Sequence, residues 1–323
     1  MKRPAVRHFL SVADLSPAEA RTVLRRADEF KHRPYDSRAF ERRNVGVMFE
    51  KPSLRTRVSF EVGIADMGGK AIVLHQAEIG IGGREASRDV ARVMSRLLDL
   101  LVIRFGDDTV LAELARTGSI PIVNALSDAE HPCQALADFQ TLAACRGARG
   151  LPLEGAVLAY VGDGNNVCHS LLRAGALLGV EVRVASPPGY APDPDVVAWA
   201  SETARGPGDT VQVGEDPAAA VAGADAVYTD AWASMGQETE EAQRRLDFAG
   251  YQVDAALMAK AGAHAVFLHC LPAHRNEEVT DEVIDSSRSR VYEQAENRLH
   301  SQKALLEFLI HESPGSYAEQ LPR

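Results

Sequence analysis

The sequence predicts an α/β protein in which two doubly wound parallel-sheet domains face each other around a shared cleft. Short β-branched runs alternate with amphipathic stretches, and this alternation is typical of parallel sheets covered by helices on both faces. Four such runs lie on each side of residues 146–155, a Gly-, Pro- and Arg-rich segment typical of a linker. A chain of 323 residues has room for two domains of about 150 residues each.

The first predicted element is a helix from residue 17 to about residue 30. Ser16 can cap it, Pro17 suits its first position and Glu19 completes a capping box. The first sheet follows, with strands in NVGVMF, AIVLH, LLVIRF and IPIVNAL and helical patterns at 58–67, 87–98 and 134–145.

The second sheet is predicted from AVLAYVG, VEVRVAS, AVYTDAW and AVFLHCL, with a helical pattern at 167–178. We therefore expect one domain at 1–148 and a second at 149–295. Residues 296–323 are expected to form a helix that packs back on the first domain and then a frayed tail.

Composition excludes several classes of function. The net charge of -10 and the pI of about 5.5 disfavour extended nucleic-acid or anionic-membrane surfaces, so a bound anion should be small. The chain lacks a secretory signal and an apolar run of about 18 residues. Its four cysteines are widely spaced without a CxxC pair, which favours reduced thiols in a cytoplasm and disfavours a metal site.

Cationic and polar residues follow the strands of the first half. FEKPSLRTR places Ser53, Arg55 and Thr56 between a strand and a helix expected near Val58, a combination that suits a phosphate. An isolated basic motif of this kind is more often a solvated turn. Two further strand ends favour an anion site, however, since LLVIRF ends at Arg104 and IPIVNAL leads to His131 and Gln134.

The second half offers a different set of side chains. GDGNN resembles a dinucleotide turn but lacks the third glycine, and it places Asn165 and Asn166 at a strand end. The other two strand ends carry Asp230, Ser234 and Met235 in one case and Cys270 and Leu271 in the other. A lone cysteine of this kind is by default a small buried hydrophobic residue.

Taken together, these segments resemble the aspartate/ornithine carbamoyltransferase family. SLRTR and HPCQ resemble its carbamoyl-phosphate signatures, DAWASMG its ornithine-specific loop, and HCLPAHR and QAENRLH its C-terminal signatures, in the family's order. The resemblance implies transfer of a carbamoyl group from carbamoyl phosphate to the side-chain amine of L-ornithine, giving L-citrulline and phosphate. It also implies a role in arginine metabolism and a cytoplasmic homotrimer, or a multiple of trimers, that needs no cofactor or metal.

The resemblance assigns roles to individual positions. It implies that the first domain binds carbamoyl phosphate and the second binds ornithine. The carbamoyl-phosphate ligands would be Ser53, Leu54, Arg55, Thr56, Arg104, His131, Gln134, Cys270, Leu271 and Arg298. The ornithine ligands would be Asn166, Asp230, Ser234 and Met235, and the catalytic residues Arg104, His131, Asp230 and Cys270.

Alternatives remain within and outside this class. The acceptor amine could be N-acylated ornithine, putrescine or aspartate, although the SMG sequence and the HCLPAHR motif favour free ornithine. GDGNN alone would suggest a dinucleotide-binding oxidoreductase, and a non-catalytic homologue is the third alternative. We also expect residues 232–250 to form a mobile lid over ornithine.

Overall fold

The computed structural model describes residues 6–204, 211–233 and 238–313. It confirms an α/β fold with two parallel sheets, each in its own unit. The first unit comprises the described residues up to Ala137 and from Asn297 onwards, and the second is Asp138–Glu296. The predicted division at 148 and 295, and the shared cleft, stay predictions.

The sheet of the first unit has the strand order β2-β1-β3-β4, with every neighbouring pair parallel. The order reverses between β1 and β3, where Phe49 pairs with Arg104. Ligands of parallel sheets bind at the carboxyl ends of the strands beside such a reversal. The strands are β1 (Asn44–Phe49), β2 (Lys70–His75), β3 (Leu100–Arg104) and β4 (Ile122–Leu126).

The first helix of this unit begins as predicted. Ser16 Oγ accepts from the Glu19 amide, the Glu19 carboxylate accepts from the Ser16 amide, and Pro17 opens the helix. Two further helices, α6 and α13, cross the unit boundary. The helices are α1 (Pro17–His32), α2 (Leu54–Asp66), α3 (Gln76–Ile79), α4 (Ser87–Leu97), α5 (Asp108–Thr117) and α6 (Pro132–Gly147), after a short 3-10 turn at Val12–Asp14.

The sheet of the second unit has five parallel strands in the order β7-β6-β5-β8-β9, one more than the sequence analysis predicted. The missed strand, Val211–Gly214, lies at the sheet edge and is largely exposed, so it lacks the apolar run that marks a buried strand. The order reverses between β5 and β8. The strands are β5 (Val157–Val161), β6 (Glu181–Ala185), β7 (Val211–Gly214), β8 (Ala226–Tyr228) and β9 (Val266–Leu268).

Most of the remaining helices belong to the second unit, and α13 continues from it into the first. Phe248, Val253 and Val283 pack with Val161 and Phe267 of the sheet in one apolar core. No helix within the described ranges is both long and apolar enough to cross a bilayer. The helices are α7 (Asn166–Leu178), α8 (Pro194–Thr203), α9 (Pro217–Val221), α10 (Glu241–Asp247), α11 (Ala255–Met258), α12 (Asp281–Ile284) and α13 (Val291–Glu312), with a 3-10 turn at Glu238–Glu240.

Candidate active site

The phosphate-binding candidates lie at the start of α2. The helix begins at Leu54, one turn earlier than the sequence analysis expected, so Leu54, Arg55 and Thr56 form its first turn. The first amides of a helix have no partner within it and attract anions. Ser53 precedes this turn, and its hydroxyl does not cap the helix but accepts a hydrogen bond from Arg104 Nη1 at 3.3 Å. The start of α2 therefore lies beside the end of β3.

Arg104 is the last residue of β3, as the sequence predicted. Its side chain is only 8% exposed, and in the sheet it lies beside Phe49, the last residue of β1. The structure thus places Ser53 and Arg104 at neighbouring strand ends of one sheet. A guanidinium buried to this extent is stabilised by a polar environment or by an anion.

His131 and Gln134 lie at the start of α6, after β4. Gln134 Oε1 accepts from Arg298 Nη1 at 2.6 Å, and Arg298 Nη2 donates to Thr56 Oγ1 at 3.3 Å. These bonds join the first turn of α2, the start of α6 and helix α13, and the three bonded residues all belong to the first unit. The three signatures that carry them are 242 residues apart at their extremes and meet in space.

The pKa of His131 is lowered by its burial and by three nearby arginines. Burial lowers the pKa of His131 well below its ordinary value, and the positive charges of Arg298, Arg104 and Arg55 lower that pKa further. The imidazole is therefore neutral near pH 7, and a neutral ring can donate one hydrogen bond to a carbonyl oxygen. The three arginines thus give the surroundings of His131 a positive potential.

The neighbouring Cys133 has a different character. Burial raises the pKa of its thiol to about 12, and its Sγ donates to the Asn124 carbonyl at 3.3 Å. A thiol with this pKa is not a nucleophile at neutral pH. Cys133 is therefore part of the packing around the site.

The second unit brings together Asp230 and Cys270 at the ends of β8 and β9. Cys270 Sγ donates to Asp230 Oδ1 at 3.0 Å, and the Ala231 amide donates to the same oxygen at 2.8 Å. Asn165 Nδ2 donates to Asp230 Oδ2 at 2.9 Å. The carboxylate is thus held in place by three donors.

Asn165 and Asn166 occupy the turn that the sequence analysis compared with a dinucleotide loop. Asn165 Oδ1 caps α7 by accepting from the amides of Val167 and Cys168, and Asn166 is the first residue of that helix. The glycine before them has a packing role, because a Cβ at Gly164 would lie 2.2 Å from the Pro192 backbone nitrogen. Close approach of the chain to itself explains this glycine without a nucleotide.

The Cys270–Leu271 segment is held by residues that the sequence analysis missed. His269 Nδ1 accepts from the Leu271 amide at 2.9 Å, its Nε2 pairs with Glu278 Oε1 at 3.1 Å, and its amide donates to Gln294 Oε1 at 2.9 Å. His269, Glu278 and Gln294 are buried. His269 belongs to the HCLP motif and Gln294 to QAENR. Their hydrogen-bond partners could not be predicted, because they come together only through long-range packing.

Asp230, His269 and Cys270 also form one of the groups whose side-chain atoms lie close enough to share a metal ion. Both ring nitrogens of His269 already have partners, Glu278 and the Leu271 amide. A metal ion bound by His269 would have to displace one of these two partners. Ser234 and Met235, and with them part of the expected lid, lie outside the described residues.

Comparison with protein families identifies both halves of the chain. The model for the carbamoyl-P binding domain of aspartate/ornithine carbamoyltransferase matches residues 7–144. The model for the Asp/Orn binding domain of the same proteins matches residues 154–309.

Individual proteins align over nearly the whole length. Ornithine carbamoyltransferase from Acidothermus cellulolyticus is 51% identical over 312 residues, covering 96% of this chain and 98% of that protein. Among solved structures, ornithine carbamoyltransferase from Pyrococcus furiosus has a TM-score of 0.89 at 45% identity, covering 95% of this chain and 97% of that one. The Thermus thermophilus structure of the same name has a TM-score of 0.85 at 41% identity, covering 95% and 100%.

Proposed function

This chain belongs to the aspartate/ornithine carbamoyltransferase family, and from that premise we infer that it transfers the carbamoyl group of carbamoyl phosphate to the side-chain amine of L-ornithine. The products are L-citrulline and phosphate. The observation that carries the inference is full-length similarity to ornithine carbamoyltransferases at about half identity. Citrulline formation by the purified chain tests it.

We assign binding of carbamoyl phosphate to the first unit. Ser53, the amides of the first α2 turn, Arg55 and Arg104 would hold the phosphate, because fixed N–H donors and guanidinium groups match its oxygens. Thr56 and His131 would donate to the carbonyl oxygen, and Gln134 and Arg298 would lie at the amide end. The support is the hydrogen bonding of Arg298 to both Gln134 and Thr56.

The reaction needs donors at two places. As the amine nitrogen bonds to the carbonyl carbon, negative charge builds on the carbonyl oxygen, and then the bond from carbon to the phosphate oxygen breaks. Phosphate leaves with the bonding electron pair, and the nitrogen gives up a proton. A single oxyanion donor typically contributes about 3 kcal/mol to such a transition state. Thr56, His131 and the arginines are the groups we assign to that work.

We assign ornithine to the second unit. The side-chain amine has an ordinary pKa of about 10.4, so the neutral nucleophile costs roughly 4 kcal/mol near pH 7.4. Asp230 and Cys270 would orient this amine by hydrogen bonding, and Asn166 would contact the α-amino and carboxylate groups. The backbone carbonyls of Cys270 and Leu271 would accept from the amide of the carbamoyl group. The support is the fixed Asp230 carboxylate and its bond to Cys270.

Free ornithine is the preferred acceptor among the amines considered. The relatives compared above carry the name ornithine carbamoyltransferase, and no observation favours N-acylated ornithine, putrescine or aspartate. The oxidoreductase alternative rested on the GDGNN motif alone. Packing against Pro192 accounts for Gly164 of that motif, so the motif no longer supports a dinucleotide site.

We further propose a cytoplasmic homotrimer that acts in arginine biosynthesis, since citrulline is a precursor of arginine. Helix α2 supports self-association, because Leu54, Val58 and Val62 recur every fourth residue and are 76%, 48% and 41% exposed. Apolar stripes of this kind mark protein interfaces. The four cysteines all lie in described residues and form no disulfide, which is compatible with a reducing compartment.

A further inference from the structure

The side chain of Arg298 must be held in one orientation to serve two partners. It is 3% exposed, and its Nη1 and Nη2 point to Gln134 and Thr56 respectively. A guanidinium on a long, flexible side chain loses rotamer entropy when it is fixed in this way. If neighbouring residues already hold the guanidinium in its binding orientation, less entropy is lost when the substrate binds.

Gln302 lies one helical turn after Arg298 on α13 and is 1% exposed. Residues four apart on a helix share a face. With the amide oriented so that its oxygen faces the donors, Gln302 Oε1 accepts from Arg298 Nε at 3.1 Å and from Nη2 at 2.9 Å. The opposite orientation would set the amide oxygen against acceptors, so hydrogen bonding selects the first.

The nitrogen of the same amide extends the contact to helix α2. Gln302 Nε2 donates to Ser59 Oγ at 2.6 Å and to the Arg298 carbonyl at 3.1 Å. Ser59 Oγ in turn donates to the Thr56 carbonyl at 3.2 Å. One buried amide therefore connects the two residues, Thr56 and Arg298, that we assign to the carbamoyl group.

Gln302 is also electrically neutral. A carboxylate at this position would orient the guanidinium equally well but would offset its positive charge, whereas an amide orients it and leaves the charge intact. We propose that Gln302 is a positioning residue for Arg298 and so sets the affinity and reactivity of bound carbamoyl phosphate. This rests on the proposed function of the site, and nothing in the sequence motifs singles out residue 302.

The test compares Gln302→Met, which is similar in volume and lacks the amide, with Ser301→Ala as a control. Ser301 is buried on the same helix, and its hydroxyl has no hydrogen-bond partner among the described residues. We expect Gln302→Met to lower kcat/KM for carbamoyl phosphate about tenfold, in line with losing hydrogen bonds to a charged group. The KM for ornithine should change less than about twofold. Ser301→Ala should behave like the wild type.

A double-mutant cycle shows whether Gln302 acts through Arg298. In an Arg298→Met background, the further change Gln302→Met should have no effect on kcat/KM. A persistent loss in that background, or wild-type values for Gln302→Met alone, would overturn the proposal.

If Gln302→Met does not fold, as judged by circular dichroism, Gln302→Asn replaces it, since its shorter amide cannot reach both nitrogens. The proposed function fails separately, when the wild type forms no citrulline.

Discussion

Cys270 Sγ donates a hydrogen bond to Asp230 Oδ1 over 3.0 Å, joining the ends of strands β8 and β9. Asp230 also accepts from Asn165 and from the Ala231 amide, so its carboxylate has little freedom to rotate. A carboxylate held in this way can direct an amine nitrogen toward an electrophile without reorganising during the reaction. We therefore assign to this pair the orientation of the nucleophile.

Asp230→Asn should lower kcat/KM for ornithine about a hundredfold or more, because an amide nitrogen would replace an acceptor oxygen. The KM for carbamoyl phosphate should change little. The matched control is Asp254→Asn, at a helix cap of the same unit, where Asp254 Oδ1 accepts from the Leu257 amide at 2.7 Å. Steady-state kinetics of both variants test this prediction. Equal kcat/KM for ornithine in the two variants would show that Asp230 does not orient the amine.

Arg104→Ala should lose most of its turnover, about 10² to 10³-fold, while the fold survives. The guanidinium donates to Ser53, and we assign it to stabilising the negative charge that develops during the reaction. Its removal should therefore raise the energy of the transition state. Circular dichroism and melting temperature report the fold, and citrulline formation reports the turnover.

The control for Arg104 is Arg57→Ala, one turn into the same helix that Ser53 precedes. Arg57 is exposed and pairs with Glu61 at 2.7 Å, so its loss should leave turnover near the wild-type value. Near-normal turnover of Arg104→Ala would contradict the assigned role.

His131 should make the protein less stable in mild acid. The pKa of His131 is lowered in the folded state. Below about pH 6.5 the unfolded chain therefore binds a proton at this residue that the folded chain does not bind. The free energy of unfolding falls as the pH falls for this reason. The free energy of unfolding should therefore be smaller at pH 5.5 than at pH 7.5. His131→Gln should lack that component, which urea unfolding at the two pH values measures. Identical pH dependence in variant and wild type would show that folding does not lower the pKa of His131.

Val62→Glu should dissociate the proposed trimer. The substitution places a charge in the exposed apolar stripe of α2, where an interface would desolvate it. Val213→Glu is the control, because Val213 is similarly exposed, at 40%, on the edge strand of the other unit. Light scattering of the two variants gives their masses. A trimeric Val62→Glu variant, or a monomeric wild type, would contradict the assembly.

Sequence patterns predicted the elements that carry strong local signals. The α1 capping box, the buried strands and the cationic ends of β1 and β3 are readable because each depends on a few neighbouring residues. Strand β7 was missed because an exposed edge strand needs no apolar run. The start of α2 was placed late because Arg55, Thr56 and Arg57 are polar, so a continuous apolar pattern is visible only from Val58 onwards.

The contacts that support the site were not predictable in the same way. The partners His269 and Glu278 are both buried polar residues, and Gln302 reaches Ser59 from the other end of the sequence. Such pairs form only when packing brings distant segments together, so a single sequence gives no signal for them. The motifs identified residues that would contact substrate, and the structure adds the residues that hold them in place.

A carbamoylation assay with purified protein, carbamoyl phosphate and a panel of amines directly tests the proposed transfer to ornithine. The panel contains L-ornithine, an N-acylated ornithine, putrescine and L-aspartate. We expect citrulline from L-ornithine, with kcat/KM at least about a hundredfold above that for the other amines. Faster carbamoylation of another amine, or no citrulline from ornithine, would contradict it.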